Sequence, residues 1–344
     1  MHQPDRTLVL AFPSLDPFIA GSSHLARVHA AATKTKSALL VLVRTPPAAP
    51  SPWAPAPPGA LSAPSTAPPP RPALSPTSLF LPLEQALARV YAAATTAFLA
   101  TDDGPLKSVD VVIEQIRGVA PICLPDDGHG TVDRWEWIAT DDDDTWERTM
   151  GKGKGKAELN APPAITPTQD TALPPIYPVV ALGGTFDHLH AGHKILLTMA
   201  CSLCTTRLIV GVSDDALLVN KKFRHLLQPL EERIRAVVRF VALVRPSITC
   251  DAVPLQDVYG PTAHDPTVEA LVVSDETRAG GDSINALRLS RSLNRLTVFT
   301  ISLVAHDGTT GETVEVEVAT KMGSTGIREW LDQRARERGS GGAA

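Results

Sequence analysis

The stretch "ALGGTFDHLHAGHKILL" (residues 181–197) places two glycines, a threonine and closely spaced histidines between two apolar runs. The apolar run that leads into it, "IYPVVAL" (176–182), has the length and composition of a buried strand, and the run that follows has those of a helix. We therefore interpret the stretch as a strand-to-helix turn. Because glycine lets a backbone turn sharply and lie close to a ligand, we expect Gly183 and Gly184 to form this turn.

The histidines stand where the predicted helix begins, near Ala191. A helix start has unpaired N–H groups and the positive end of the helix dipole, which together favour anions. His190 and His193 are three residues apart and so share one helix face, where imidazoles can donate hydrogen bonds to phosphoryl oxygens. Thr185 adds a hydroxyl to the same turn. The alternative is structural, with histidines that cap the helix and glycines that serve only the turn.

The rest of the C-terminal half alternates strand and helix patterns. This alternation predicts an α/β fold with a parallel, Rossmann-like sheet that binds ligands at the carboxyl ends of its strands. The expected strands are 207–213, 248–255, 268–274 and 295–304, and the expected helices are 191–204, 230–244, 283–293 and 324–338.

Residues 1–138 predict a smaller N-terminal α/β unit of unknown role, in which no phosphate-binding loop is recognisable. Its expected strands are 7–12, 37–44 and 109–113, and its expected helices are 24–33 and 82–100. Residues 45–78 are dominated by Pro, Ala and Ser and are predicted to be a disordered insertion. The acidic, Gly-Lys and Pro-containing residues 139–175 form an expected linker to a domain over 176–338, and 339–344 form an expected disordered tail.

Composition narrows the function classes. The net charge of −5 offers no basic surplus for nucleic acid, and no apolar run approaches the length of a membrane span. A content of only four cysteines favours reduced thiols in a cytoplasmic protein. The alternative is a mitochondrial presequence, because the first 36 residues contain only two acidic residues. Cys201 and Cys204 lack a second ligand pair, so we expect buried helix packing rather than a metal or redox site.

The turn resembles the nucleotidyltransferase superfamily, whose members carry a T/HxGH motif there. Within the superfamily, this sequence is most similar to the eukaryotic phosphopantetheine adenylyltransferases, over about residues 176–335. The resemblance rests on six ordered segments: "GGTFDHLHAGHKILL" (183–197), "LLQPLEER" (226–233), "VYGPTAHDP" (258–266), "LVVSDET" (271–277), "GGDSINALR" (280–288) and "KMGSTGIR" (321–328).

The resemblance implies adenylyl transfer from ATP to 4′-phosphopantetheine, which yields dephospho-coenzyme A and pyrophosphate, with Mg²⁺ accompanying ATP. It implies catalytic roles for His190, His193 and Lys222, and it implies no metal-ligating side chains. The implied ATP contacts are Gly183, Gly184, Thr185, Phe186, His190, His193, Arg278, Asn285, Ser324 and Thr325; Arg288 is a weaker candidate. The implied acceptor contacts are Thr185, Asp187, Lys221 and Lys222.

Within the last segment, Ser324 and Thr325 would also cap the final helix. Gly323 stands where the family often has serine, which removes one hydroxyl from the implied phosphate contact. Arg278 falls where bacterial relatives place a phosphate-binding arginine, whereas eukaryotic relatives often have tyrosine.

Three other enzymes share parts of these motifs. A cytidylyltransferase acting on phosphocholine, phosphoethanolamine or glycerol phosphate has GTFDxxHxGH, but it also carries an RTEGISTS-like segment that this sequence lacks. A nicotinamide-mononucleotide adenylyltransferase would show GSFNPxxxxH, and an aminoacyl-tRNA synthetase would need a longer chain with a tRNA-binding surface.

A different class of function is a scaffold, in which the Pro-rich and acidic segments dock coenzyme A pathway enzymes such as dephospho-coenzyme A kinase. No Walker loop is present, and we expect a monofunctional enzyme whose next step belongs to a separate protein.

Overall fold

The computed structural model describes residues 7–12, 23–35, 38–43, 80–102, 104–113, 116, 135–138, 176–302 and 323–340. The expected Pro-rich insertion, the linker and the C-terminal tail lie outside the described residues. Among the helices described, none is both long and apolar enough to cross a membrane.

The N-terminal unit contains a four-stranded sheet. Its strands are β1 (Thr7–Phe12), β2 (Ala38–Val43), β3 (Ser108–Ile113) and β4 (Trp135–Ile138), with helices α1 (Ser23–Lys34) and α2 (Phe80–Leu99). All pairs are parallel, in the order β3-β2-β1-β4. The predicted strands and helices of this unit are confirmed, whereas the four-residue strand β4 was not predicted.

The C-terminal region contains a five-stranded parallel sheet, as expected. Its strands are β5 (Tyr177–Gly184), β6 (Cys204–Ser213), β7 (Thr249–Leu255), β8 (Ala270–Ser274) and β9 (Thr297–Ile301), and its helices are α3 (Ala191–Leu203), α4 (Leu230–Val244), α5 (Arg278–Ser290) and α6 (Ser324–Ser340). The order β7-β6-β5-β8-β9 reverses direction between β5 and β8. Ligands of doubly wound sheets bind at the carboxyl ends of the strands at such a reversal, and the turn after β5 lies there.

Helix α5 begins five residues earlier than expected. The expected elements left residues 275–282 between a strand and a helix, but Gly281 is helical and buried against the sheet. A Cβ at Gly281 would lie 3.1 Å from Val298, so this glycine lets the helix approach β9 closely. Close helix packing, rather than a loop, explains the glycine here.

The two sheets share a hydrophobic core. One cluster of buried apolar side chains joins Tyr91 and Phe98 of α2 to Ile195 and Leu197 of α3. The N-terminal unit therefore packs directly against the helix that follows the histidine turn.

The CxxC cysteines belong to this packing. Cys201 and Cys204 are buried free thiols, and desolvation raises the pKa of both. The packing prediction is confirmed, but the prediction that both stand on one helix is wrong, because Cys204 is the first residue of β6.

Candidate functional site

The turn after β5 begins later than expected. Gly183 and Gly184 are still strand residues, paired with Gly211 and Val212 of β6. The backbone turns beyond them and takes positive φ at Phe186 (50°) and His188 (45°), a conformation uncommon for residues with a side chain. The prediction that the glycines form the turn is therefore wrong.

The glycines instead provide space. A Cβ at Gly184 would lie 3.1 Å from the ring of Phe186, and one at Gly183 would lie 3.4 Å from Leu255. Phe186 is fully buried and its ring centroid lies 5.1 Å from that of His193. Gly184 therefore leaves room for the aromatic ring that supports His193.

The two histidines lie side by side at the start of α3. His190 immediately precedes the helix, in an extended conformation, and its side chain makes no capping hydrogen bond. The His190 and His193 ring centroids are 3.9 Å apart, with the planes tilted by 32°. The alternative in which His190 caps the helix is therefore wrong, and the paired rings are as expected for two residues on one helix face.

Both imidazoles are electrically neutral near neutral pH. Desolvation, helped by the positive charge of Lys194, lowers the pKa of His190 to about 4, and desolvation together with His190 lowers the pKa of His193 well below its ordinary value. The Nδ1 atoms of both rings are buried and have no hydrogen-bond partner among the described residues. A neutral imidazole still donates one hydrogen bond, so the pair can contact phosphoryl oxygens without carrying charge beforehand.

A buried ion pair joins the turn to the start of α6. Asp187 and Arg328 are 0% and 1% exposed, and the Arg328 guanidinium donates to the Asp187 carboxylate. The other carboxylate oxygen accepts from the Gln228 N–H at 2.9 Å, and the Ser324 hydroxyl donates to the Asp187 carbonyl oxygen at 2.8 Å. The carboxylate that we expected to contact the acceptor substrate is thus directed at protein groups, because a buried charge needs partners.

The start of α6 also reaches the predicted lysines. Arg328 donates to the carbonyl oxygen of Lys222 at 3.0 Å and to the Thr325 hydroxyl at 3.2 Å. Lys221 and Lys222 have exposed side chains, as does Thr325. The Ser324 hydroxyl connects α6 to the turn, whereas the Thr325 hydroxyl accepts from Arg328 of the same helix. Neither of these hydrogen bonds is to a backbone N–H of the helix start, so the prediction that these hydroxyls cap the helix is wrong.

The histidine turn and the start of α6 meet, as the sequence predicted. The His190 Nε2 atom lies 4.0 Å from the position that a Cβ would take on Gly323. Residues 185–193, Lys221 and Lys222, and the segment 323–328 consequently border one region at the carboxyl edge of the sheet.

The segment "LLQPLEER" (226–233) supports the turn through hydrogen bonds of Arg233. From the sequence we predicted no role for the residues of this segment. Arg233 is fully buried and donates to the carbonyl oxygens of Thr185 (2.9 Å), Ser213 (2.7 Å) and Gln228 (2.9 Å). It also contacts Asp215 at 3.1 Å, which opposes the lowering of its pKa by burial. This role could have been suspected from the sequence, because Arg233 is a charged residue within the apolar pattern of α4.

The three remaining residues that we predicted to contact the nucleotide differ in their exposure. Arg278 is exposed at the first residue of α5, shortly after the carboxyl end of β8. Asn285 is 5% exposed, and its amide bonds to the backbone N–H (2.7 Å) and carbonyl (3.0 Å) of Leu296. Arg288 is fully buried and donates to four backbone carbonyls. Arg278 alone of these three has a side chain open to a ligand.

No group of three or more His, Cys, Asp or Glu side chains within the described residues is arranged to hold a metal ion. The carboxylate of the turn, Asp187, is engaged by Arg328.

Comparison with known proteins bears on the same region. A cytidylyltransferase-like family model matches residues 181–327. The phosphopantetheine adenylyltransferase of Saccharomyces cerevisiae is 41% identical over 157 residues, which are 46% of this chain and 50% of that protein. An uncharacterized protein of Schizosaccharomyces pombe is 36% identical over 157 residues, 46% of this chain and 49% of that protein.

An archaeal relative is matched over more of its length. The phosphopantetheine adenylyltransferase of Methanopyrus kandleri is 42% identical over 125 residues, which are 36% of this chain and 78% of that protein. The chain thus spans about half the length of the two yeast relatives and most of the archaeal one.

Proposed function

We infer that this chain, which belongs to the phosphopantetheine adenylyltransferase family, transfers the adenylyl group of ATP to 4′-phosphopantetheine. The products would be dephospho-coenzyme A and pyrophosphate. The observation that carries this proposal is the junction of the histidine turn with α6 through the buried Asp187–Arg328 pair. That junction brings paired imidazoles, exposed lysines and a helix start to one edge of the sheet.

The reaction needs positioning more than it needs a protein nucleophile. An oxygen of the acceptor phosphate attacks the α-phosphorus, and the bond from that phosphorus to the bridging oxygen of the β-phosphate breaks. Negative charge accumulates on the α-phosphoryl oxygens in the transition state. Hydrogen-bond donors fixed beforehand around those oxygens stabilise that charge without reorganising.

The histidines are the proposed donors. His190 and His193 are neutral and half-buried, so each can donate to a phosphoryl oxygen in surroundings that exclude much of the water. Phe186 packs on His193 and limits its rotation. The adjacent N–H groups of α3, the Thr185 hydroxyl and the backbone of Gly183 and Gly184 would contact the same phosphate.

The acceptor phosphate and the β- and γ-phosphates of ATP have separate proposed partners. Lys221 or Lys222, both exposed beside the α6 junction, would hold the acceptor phosphate by charge. The first N–H groups of α6 and the Thr325 hydroxyl would meet the β- and γ-phosphates. Arg278, exposed at the β8 edge, is the further proposed phosphate contact.

Mg²⁺ would arrive as part of the MgATP substrate. Mg²⁺ retains water and binds phosphate oxygens readily, so it needs few or no protein carboxylates. The side chains described at the turn fit this arrangement, because the Asp187 carboxylate is already paired. Bound in this way, the ion would neutralise charge on the phosphates.

An assay of paired substrates tests the function. The full chain would be incubated with Mg²⁺ and either ATP plus 4′-phosphopantetheine or CTP plus phosphocholine, phosphoethanolamine or glycerol 3-phosphate. We expect pyrophosphate and dephospho-coenzyme A, identified by mass, only from the first mixture. Pyrophosphate release only with CTP would overturn the proposal in favour of a cytidylyltransferase.

The compartment and pathway partners belong to the same proposal. The described cysteines Cys201, Cys204 and Cys250 are free thiols, which suits the reducing cytoplasm, with the mitochondrion as the alternative. Dephospho-coenzyme A kinase would consume the product and is the proposed enzyme partner. Cell fractionation followed by affinity capture from the cytoplasmic fraction tests both points.

A further inference from the structure

The N-terminal unit contacts the residue that directly follows the second histidine. Lys194 is 4% exposed, and its ammonium donates to the Ser108 hydroxyl, the Val109 carbonyl and the Asp110 carboxylate, each at 2.7 Å. All three acceptors belong to β3. An ammonium has three N–H donors, so the N-terminal unit occupies its full bonding capacity.

Lys194 lies in the first turn of α3, where a positive charge is unfavourable. The positive end of the helix dipole and the loss of hydration both oppose a buried ammonium there. The carboxylate of Asp110 compensates for both effects. The start of α3 therefore depends on a charge that comes from outside its own sheet.

The same turn of helix holds the histidines. The backbone N–H of Lys194 donates to the backbone carbonyl of His190 at 3.0 Å. Residues four apart also lie on the same helix face. His190 and Lys194 both line a cavity of about 240 Å³ that is also lined by Phe98, Lys107 and Ser108 of the N-terminal unit. A shift of Lys194 would move the His190 backbone with it.

Two other contacts keep the N-terminal unit against this flank. Glu84 of α2 accepts hydrogen bonds from the Ser302 backbone at 2.7 Å and from its hydroxyl at 3.1 Å. Arg334 of α6 donates to the Asp102 carbonyl. With the shared core, these contacts make β3 a fixed support for Lys194.

We propose that Asp110 is a positioning residue of the adenylyl-transfer site, which acts through Lys194 to fix the first turn of α3 and the directions of His190 and His193. The proposal rests on the proposed function. Asp110 lies outside the residues that the family model matches, 181–327, so the N-terminal unit becomes an integral part of the catalytic machinery.

Steady-state kinetics of the full chain test this role. We expect Asp110→Asn to lower kcat about tenfold or more with KM for ATP changed less than about threefold, because misdirected imidazoles affect the transition state more than ground-state binding. The matched control is Asp265→Asn, which removes a carboxylate of similar exposure (20% against 29%) from its pair with Arg207. Arg207 lies near the amino end of β6, away from the turn, so this control should keep its kcat.

A double variant separates positioning from folding. Lys194→Met combined with Asp110→Asn removes the charge that Asp110→Asn alone leaves buried without a partner. We expect the double variant to melt higher than Asp110→Asn and still to show reduced kcat, because the β3 anchor is missing. Full kcat per folded molecule in either variant would overturn the proposal.

A spectroscopic readout does not depend on the reaction. The imidazole ¹H–¹³C resonances of His190 and His193 can be assigned with the variants His190→Gln and His193→Gln. These resonances should shift in Asp110→Asn and should not shift in Asp265→Asn. Unshifted resonances would contradict the positioning role. If wild-type protein turned over neither ATP nor CTP while these shifts occurred, the proposed function would fail and the Asp110 support of the turn would stand.

Discussion

The two sheets of this molecule have the same local plan and different chemistry. In each sheet the strand that comes first in the chain is an inner strand, and the next two strands lie on one side of it. The other side has one later strand in the order β3-β2-β1-β4 and two in the order β7-β6-β5-β8-β9. After β5, the six residues "TFDHLH" lead into α3, which carries His193. After β1, the ten residues "PSLDPFIAGS" (13–22) lead into α1 and contain no histidine or lysine. The two sheets therefore share an architecture, whereas the connection after β5 differs from the one after β1 in containing two histidines.

The N-terminal sheet contributes by contact instead. Its strand β3 provides all the acceptors for the Lys194 ammonium, and α2 packs on α3. One sheet bears the candidate site and the other supports the helix on which the site stands. The following predictions test this division of roles, from the largest expected effect to the smallest.

Breaking the ion pair at the α6 junction should have the largest effect. We expect Arg328→Met to lower the free energy of unfolding by about 3–5 kcal/mol, because it leaves the buried Asp187 carboxylate without its partner. Arg336→Met is the control on the same helix, since Arg336 pairs with Asp332 but is 78% exposed. Denaturant unfolding of both variants checks this, and equal losses would contradict a special role for the junction.

Replacing a histidine in each unit tests whether only one sheet carries chemistry. His193→Ala should lower kcat about 100- to 1,000-fold, the usual cost of one lost transition-state donor, with a small change in melting temperature. His29→Ala, on the exposed face of α1, should leave kcat unchanged. A large stability loss with near-normal turnover in His193→Ala would assign the residue a structural role.

Acid should destabilise the fold through His190. Its pKa is lowered to about 4, so the unfolded chain binds a proton below about pH 6.5 while the folded chain does not. Stability is therefore fully present above pH 6.5 and falls as the pH drops towards 4, by about 2 kcal/mol at pH 5 from this residue.

Unfolding at pH 7.5 and pH 5 measures this effect. His190→Gln should lose less stability between the two pH values than the wild type, and the exposed-residue control His264→Gln should behave as the wild type does. An unchanged pH dependence in His190→Gln would contradict a buried, neutral imidazole.

Substitution of the glycines at the end of β5 should have the smallest effect of those predicted here. β1 ends in Phe12 whereas β5 ends in Gly184. Gly184→Ala should push the Phe186 ring and, through it, His193, and lower kcat about tenfold. The Cβ of Gly183→Ala would meet Leu255 at 3.4 Å and the Gly211 carbonyl oxygen at 3.8 Å, which are ordinary contacts, so this variant should cost less. Kinetics of the two variants check the order, and a greater loss in Gly183→Ala would reverse our interpretation of the glycines.

Local patterns were sufficient to predict most elements and the existence of the turn. Helix α4 has the predicted bounds, 230–244, because its apolar residues repeat with helical spacing. The role of Gly184 was mistaken, since its constraint is the Phe186 ring rather than its own backbone angles. Strand β4 was missed because four residues give too short an alternation to read.

Long-range charge pairing could not be predicted in the same way. Asp187 and Arg328 are 141 residues apart, and Lys194 and Ser108 are 86 apart. Nothing in the local spacing of these residues indicates their partners. The sequence therefore predicted which segments meet at the candidate site, while tertiary structure determines which charged residues hold those segments in place.

The most direct test of the nucleotide site is a crystal structure of the full chain with Mg²⁺ and a non-hydrolysable ATP analogue. We predict that the triphosphate lies between the histidine turn and the start of α6, with the His190 and His193 imidazoles within hydrogen-bond distance of its oxygens. A triphosphate bound elsewhere, with both imidazoles out of contact, would contradict the site and the function proposed from it.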